Sequence, residues 1–160
     1  MAEDDGVRTV AEIVKNVRIA MLTTVGADGR LVSRPMGVQD VEFDGDLWFF
    51  ADEDSHKVHE IEGGSPANAS FCGDTAWVSI SGRAEVLRDP AKAREIWGQA
   101  AQAYYPDGPE TPGLVIIRVA GETAEYWASP GGRVATVFRL VKARIQGERP
   151  EEGDNATVRF

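Results

Sequence analysis

Strand patterns in this chain follow one another through tight turns instead of alternating with helices. Residues 18–25 and 31–38 are rich in apolar and β-branched side chains, and Asp28-Gly29 lies between them. Asp-Gly readily supplies the positive φ of a two-residue hairpin turn, so these segments predict an antiparallel pair. Such a succession disfavours a doubly wound parallel sheet, in which strands and helices alternate one by one.

Further strand patterns extend this reading. Residues 41–43 and 47–51 flank Asp44-Gly45-Asp46 and predict a second hairpin. In 76–87, small and apolar residues alternate with Ser, Arg and Glu, which is typical of a strand with one buried face. Shorter strands are predicted at 68–72, 114–119 and 123–127. We therefore expect a mainly β (α+β) fold, a small antiparallel barrel of six to seven strands with peripheral helices.

Helical spacing of apolar residues indicates where the peripheral helices lie. The patterns predict helices over 7–17, after Ser55, from Asp89-Pro90 to about Tyr105, and over 134–145. From residue 146 the chain becomes polar, and we expect a loose tail in which Val158 and Phe160 could dock. The expected organisation is one domain over 1–145 and a polar C-terminal tail over 146–160.

Charge and composition disfavour several classes of protein. The 160 residues carry a formal net charge of −9, whereas a nucleic-acid-binding face needs clustered cations. No apolar run approaches the roughly 20 residues of a membrane span. The acidic N-terminus lacks the pattern of a secretory signal, which favours a cytoplasmic protein. Cys72 is the single cysteine, so an internal disulfide is excluded and a small buried hydrophobic role is expected.

The string Ser33-Arg34-Pro35-Met36 is the first candidate site. Arg34 can hold a phosphate through its bidentate guanidinium, and Pro35 and Met36 can present an apolar surface to a ring. Because a proline cannot donate to a sheet ladder, this strand has an edge, a bulge or a ligand near Pro35. The alternative is a surface arginine on an irregular edge strand.

The second candidate site follows the strand that ends in Phe50-Ala51-Asp52. Ser55 and Lys57 lie in or beside the first turn of a predicted helix, where unpaired N–H groups favour an anion. The alternative is an N-capping serine and a solvated lysine. His56 and His59 are not completed by other residues into a zinc signature, so no metal site is expected.

In order along the chain, several motifs resemble one family. Besides the two candidate sites, they are Met21–Val25, Asp28-Gly29, Val41–Phe50, Val78–Gly82, Tyr105–Pro109 and Ala124–Trp127. Together they resemble the general stress protein branch of the pyridoxamine 5′-phosphate oxidase-like split-barrel flavoproteins, over roughly residues 7–145.

This resemblance implies a split β-barrel that forms a homodimer and binds FMN at the subunit interface. By position, Ser33, Arg34, Pro35 and Met36 would line the isoalloxazine ring, with Arg34 also reaching toward the phosphate. Phe50, Ala51 and Asp52 would lie along the ribityl chain and phosphate, and Ser55 and Lys57 would hold the phosphate. Trp127 would approach the flavin, from the other subunit; its alternative role is to plug the barrel rim.

The implied function is that of an FMN-binding oxidoreductase, with no catalytic side chain assigned. A true pyridoxamine phosphate oxidase is disfavoured, since no set of residues for that substrate is visible. One alternative is a deazaflavin-dependent reductase, whose longer acidic cofactor would require more basic residues than this acidic chain offers. Another is a non-catalytic flavin-binding or sensing module.

Overall fold

The computed structural model describes residues 2–128 and 154–160, with side chains from residue 5 onward in the first range and from 155 in the second. The helices are α1 (Ala2–Lys15), α2 (His56–Ile61), α3 (Pro90–Ile96) and α4 (Gln99–Tyr104). The strands are β1 (Ile19–Val25), β2 (Leu31–Gly37), β3 (Asp46–Asp52), β4 (Ser65–Cys72), β5 (Ala76–Leu87), β6 (Leu114–Ala128) and β7 (Asp154–Arg159). The helix expected over 134–145 and the domain boundary at 145 lie outside the described residues.

The seven strands form one antiparallel sheet in the order β2-β1-β4-β5-β6-β3. The long strand β6 pairs with β5 on one edge, and on its other edge with β3 and then β7. β2 and β3 therefore stand at the two ends of the path and approach each other without a ladder between them. The predicted mainly β, split-barrel architecture is confirmed, and the split is the seam between β2 and β3.

The interior of the barrel is filled by alternate residues of the strands. Phe49, Phe71 and Leu22 are fully buried there, and α1 and α2 contribute Val10 and Ile61. Burying such side chains stabilises the fold by about 1.5–3 kcal/mol each. The apolar stripe of α1 thus covers the barrel, as its spacing predicts.

A second, smaller apolar cluster lies outside the barrel. Phe50 packs against Trp97 with 5.0 Å between the ring centroids. Ile96, Ala101 and Ile116 complete the cluster. This packing fixes α3 and α4 beside the end of β3. It is what brings α4 to the seam.

One hairpin prediction and one helix prediction are wrong. Residues 41–43 lie in the loop between β2 and β3, and β3 pairs with β6 instead of with them. The Phe43 ring makes an edge contact with the Phe160 ring, with 5.5 Å between the centroids. The apolar side chain at position 43 therefore packs against a residue distant in sequence and does not form part of a strand. The helix predicted from Pro90 to Tyr105 is broken at Gly98, which is the N-cap of α4.

Two other predictions also differ from the structure. The patterns at 114–119 and 123–127 belong to one strand, β6, in which a register shift opposite Ser81/Gly82 replaces the expected break. A Cβ on Gly82 would lie 1.9 Å from the Ala120 carbonyl oxygen, so only glycine fits this crossing. The tail is not loose over 154–159: β7 pairs with β6, and Val158 is buried in the barrel core.

Several expected details are confirmed. The Asp28-Gly29 turn joins β1 to β2, with Gly29 at φ 80°. The Asp89 carboxylate accepts a hydrogen bond from the Lys92 N–H at the start of α3. None of the described helices is long and apolar enough to cross a membrane.

Candidate functional site

A cleft of about 280 Å³ opens at the seam between β2 and β3. One wall is the end of β2 and the start of β1, and the other is the end of β3, α2 and α4. Its lining residues are Arg18, Ile19, Pro35, Met36, Gly37, Val38, Gln39, Phe50, Ala51, Lys57, Ala100, Ala101, Tyr104 and Tyr105. Five of the ten predicted site residues meet here: Pro35, Met36, Phe50, Ala51 and Lys57.

Lys57 gives this cleft a cation beside α2. It is partly buried, and within residues 2–128 and 154–160 its side chain forms no hydrogen bond or ion pair. Arg18 is the second cation in the lining, beside Val38, whose N–H donates to the Arg18 carbonyl at 2.9 Å. The cleft therefore offers positive charge in a protein whose net charge is −9.

Ser55 immediately precedes α2 and is its N-cap, as the sequence predicts. Its backbone is extended and its carbonyl accepts the Val58 N–H at 3.1 Å, but its hydroxyl makes no capping bond. The Ser55 Oγ is buried without a hydrogen-bond partner among the described residues. A buried hydroxyl left unpaired costs about 1–3 kcal/mol, so this group does not stabilise α2. Ser55 is not among the residues that line the cleft.

The end of β3 forms the floor of the cleft. Phe50 and Ala51 are buried, whereas the Asp52 side chain points outward and is exposed. Burial and the neighbouring Asp52 carboxylate raise the pKa of the Tyr105 hydroxyl to about 12. Tyr105 is therefore a neutral hydroxyl at the rim throughout the physiological range.

The four residues of the first candidate string divide between two faces of β2. Met36 is buried and lines the cleft, and Pro35 reaches its edge. Ser33 faces outward, where its hydroxyl lies 2.6 Å from the Thr23 hydroxyl on β1. Ser33 is thus outside the cleft of its own chain.

Arg34 does not line the cleft, although it lies on the same face of β2 as Met36. Its guanidinium Nη2 is 3.0 Å from Glu60 Oε2 on α2, and its Nη1 donates to the Thr24 hydroxyl. The Thr24 hydroxyl in turn donates to Glu60. The Thr24 hydrogen bond and the Arg34 guanidinium together lower the pKa of the Glu60 carboxyl from its usual 4.5.

Trp127 does not line the cleft of its own chain. It lies near the C-terminal end of β6, whereas Ala51 pairs with Val115 near the other end of that strand. Trp127 is instead the cross-strand neighbour of Trp77, and both indoles are 40 % exposed.

These two tryptophans belong to a broad, nearly uncharged outer sheet face. We define it by the outward residues Ile19, Met21, Thr23, Ser33, Pro35, Asn68, Ser70, Cys72, Trp77, Ser79, Ser81, Thr123, Glu125 and Trp127. Its polar groups bond to one another: the Asn68 amide donates to Ser79 at 2.7 Å and to Ser81 at 3.0 Å. Within this set Glu125 carries the only charge, and Arg83, the next outward residue of β5 after Ser81, is exposed at its edge.

Some lining residues were not predicted from the sequence. Tyr104 and Tyr105 reach the cleft because the cluster around Phe50 holds α4 there. For Tyr105, the family-like motif Tyr105–Pro109 was the feature of the sequence that could have indicated a role in the site. Arg18 has no such signal, since it is one exposed arginine at a strand start. Cys72, expected to be buried, is exposed.

No cluster of three or more metal-ligating side chains occurs in the part of the chain that the structure describes. His56 and His59 are both exposed on α2, and neither faces a second ligand set.

Comparison with known proteins places the chain in a family. The sequence model of the family described as "Pyridoxamine 5'-phosphate oxidase like" matches residues 5–151. The protein bli-3 of Neurospora crassa is 28 % identical over 157 residues, covering 91 % of this chain and 75 % of bli-3.

Solved structures show the same architecture. A protein assigned to general stress protein 26, from Jannaschia sp. CCS1, superposes with a TM-score of 0.80 at 24 % identity, over 100 % of both chains. A general stress FMN/FAD binding protein from Xanthomonas citri superposes with a TM-score of 0.70 at 27 % identity, covering 81 % of this chain and 93 % of the other.

Proposed function

The chain belongs to the pyridoxamine 5′-phosphate oxidase-like family, and on that premise we propose that it binds FMN in the seam cleft. The observations that carry the proposal are a buried Ser55 hydroxyl without a partner among the described residues and, two residues later, a cleft-lining Lys57 without a counter-ion among them. A phosphate accepts hydrogen bonds from both kinds of group. The Xanthomonas citri relative, described as an FMN/FAD binding protein, supports a flavin as the ligand class.

The rest of the cleft suits a planar ring with a polar chain. Met36, Pro35 and Phe50 supply apolar surface, and the backbone at the end of β3 supplies polar groups for a ribityl chain. At about 280 Å³ the cleft is slightly smaller than the roughly 300–1,000 Å³ of typical ligand pockets. A second chain packed against it would complete the enclosure.

We accordingly propose a homodimer that packs through the outer sheet face. This face has two exposed tryptophans and an exposed Met21, and one charge within the set that defines it. Exposed apolar side chains with few charges are typical of a surface that is buried against another protein. Pro35 belongs both to this face and to the cleft, so the cleft opens beside it. In such a dimer Ser33 and Trp127 would reach the flavin of the partner, although neither lines the cleft of its own chain.

The proposed activity depends on the electron transfer that a bound flavin carries out. Bound flavin supplies the electron transfer itself, and the chain binds it, orients it and limits its contact with water. Oxidoreductase activity of the general stress protein type is therefore the proposed function. Tyr104, exposed at the rim, is positioned to contact whatever reacts there.

The proposal is tested by titrating the purified protein with FMN while following visible absorbance and flavin fluorescence. We expect binding in the micromolar range or tighter, and weaker binding of riboflavin, which lacks the phosphate. Absence of FMN binding at micromolar concentrations would overturn the proposal. Anaerobic reduction by NADH or NADPH, followed by reoxidation with an acceptor, then separates an enzyme from a binding module.

A further inference from the structure

The ion pair between Arg34 and Glu60 is well enclosed. The two side chains are 18 % and 16 % exposed, and the Thr24 hydroxyl that bridges them is fully buried. Thr24 accepts from Arg34 and donates to Glu60, so the three groups form one hydrogen-bonded cluster. The charge of Arg34 is therefore neutralised inside the chain.

This pair lies directly beside the cleft. Met36, two residues beyond Arg34 on the same face of β2, lines the cleft, and residues two apart in a strand are separated by roughly 6.6 Å. Lys57 also lines it, and Lys57 precedes Glu60 by three helical residues, a rise of roughly 4.5 Å. A long arginine side chain spans such a distance. Arg34 is thus one strand step from cleft-lining Met36, and its guanidinium is turned toward Glu60, about one helical turn from Lys57.

We infer that Glu60 determines how strongly the cleft selects a phosphorylated ligand, by holding Arg34 back from the anion that Lys57 and Ser55 receive. The inference rests on the proposed function and adds a specificity-determining residue to it. Glu60 acts through Arg34 and does not touch the ligand, so it is a positioning residue. With Glu60 charged, Arg34 adds little field at the cleft; without that charge, Arg34 becomes a second cation for the phosphate.

A comparison within the same segment shows why Glu60 differs from an ordinary surface carboxylate. Glu62, two residues later, pairs with Arg88 at 3.1 Å, and both side chains are about half exposed. Neither Glu62 nor Arg88 lines the seam cleft. Glu62→Gln is thus a matched control, because it removes the same charge from the same segment without releasing Arg34.

The test measures dissociation constants of FMN and of riboflavin for the wild type, Glu60→Gln and Glu62→Gln. Glutamine keeps an acceptor for Arg34 and Thr24 while removing the charge. We expect Glu60→Gln to tighten FMN binding about fivefold, the order expected for releasing one partly exposed ion pair. Riboflavin binding should stay unchanged, and Glu62→Gln should change neither constant. In an Arg34→Gln background the effect of Glu60→Gln should vanish.

The outcomes separate this inference from the proposed function. If the wild type binds both flavins and Glu60→Gln leaves the FMN-to-riboflavin ratio unchanged, or weakens both ligands equally, Glu60 has only a structural role and the inference is overturned. If the wild type binds neither flavin, the proposed function and the inference fall together. Should Glu60→Gln not fold, Glu60→Asp keeps the charge but draws it back from Arg34, and the same ratio should rise by a smaller factor; an unchanged ratio overturns the inference.

Discussion

Arg34 Nη2 and Glu60 Oε2 lie 3.0 Å apart, one helical turn from Lys57, so the arginine that a phosphate would attract is already paired. What remains for an anion on this side of the cleft is Lys57 in its lining and, two residues earlier, the unpartnered Ser55 hydroxyl behind it. The account of ligand binding therefore depends on these two groups first and on Arg34 only through Glu60.

Ser55→Ala should separate binding from stability. The buried Ser55 Oγ has no partner among the described residues, so its removal deletes an unsatisfied group. We expect the free energy of unfolding of the flavin-free protein to stay unchanged or to rise by up to about 1 kcal/mol, while FMN binding weakens about tenfold. Urea unfolding and FMN titration measure the two effects. A large loss of stability with unchanged FMN affinity would show that the hydroxyl is structural.

Lys57→Ala should weaken FMN by about 1.5–3 kcal/mol, roughly 10- to 150-fold, because a charged hydrogen bond to phosphate is lost. Riboflavin should be affected far less. The matched control is Lys15→Ala, which removes the same charge from the exposed end of α1, outside the cleft. Equal losses in both variants would attribute the effect to net charge and contradict a specific contact.

The contribution of Glu60 to the stability of the protein should be lost in acid. The Thr24 hydroxyl and the Arg34 guanidinium hold the pKa of Glu60 below its usual 4.5. The folded state then binds fewer protons than the unfolded state, so this stabilisation is complete above about pH 4.5 and is lost as pH falls through the lower folded-state pKa. We expect the difference in unfolding free energy between wild type and Glu60→Gln to shrink over that window. A difference that stays constant down to about pH 3 would contradict the pairing.

Met21→Glu should dissociate the proposed dimer. Met21 is 39 % exposed in the middle of the outer sheet face, where a carboxylate would meet its own copy or an apolar surface. We expect dimer affinity to fall at least about a hundredfold in sedimentation velocity, since unmatched charge at an interface costs several kcal/mol. Val41→Glu changes an equally exposed apolar residue in the loop before β3 and should leave the dimer intact. A wild type that is monomeric at micromolar concentration would refute the interface.

Much of the fold was predictable from the sequence because the strands carry strong local patterns. The bounds of β5 agree with the prediction to the residue, since twelve residues of alternation leave little freedom. Residues 41–43 show where local pattern stops being informative. Three residues are too few to identify a strand, and Phe43 packs against Phe160, which is far along the chain. The register shift that keeps β6 continuous likewise depends on a backbone contact between Gly82 and Ala120.

The candidate site was predictable to a different degree. Strand ends and a helix start identified Met36, Ala51 and Lys57, because these positions are local features. The partner of Arg34 was not identifiable, since Glu60 is 26 residues away and only the packing of α2 on β1 brings them together. Tyr104 depends in the same way on the cluster that holds α4 at the seam.

The central claim is tested most directly by a crystal structure of the protein grown with FMN. The account predicts the flavin ring against Met36 and Pro35 at the seam, with phosphate oxygens within hydrogen-bonding distance of Ser55 Oγ and Lys57 Nζ. A seam cleft without flavin at saturating FMN, or a phosphate bound away from Ser55 and Lys57, would contradict it.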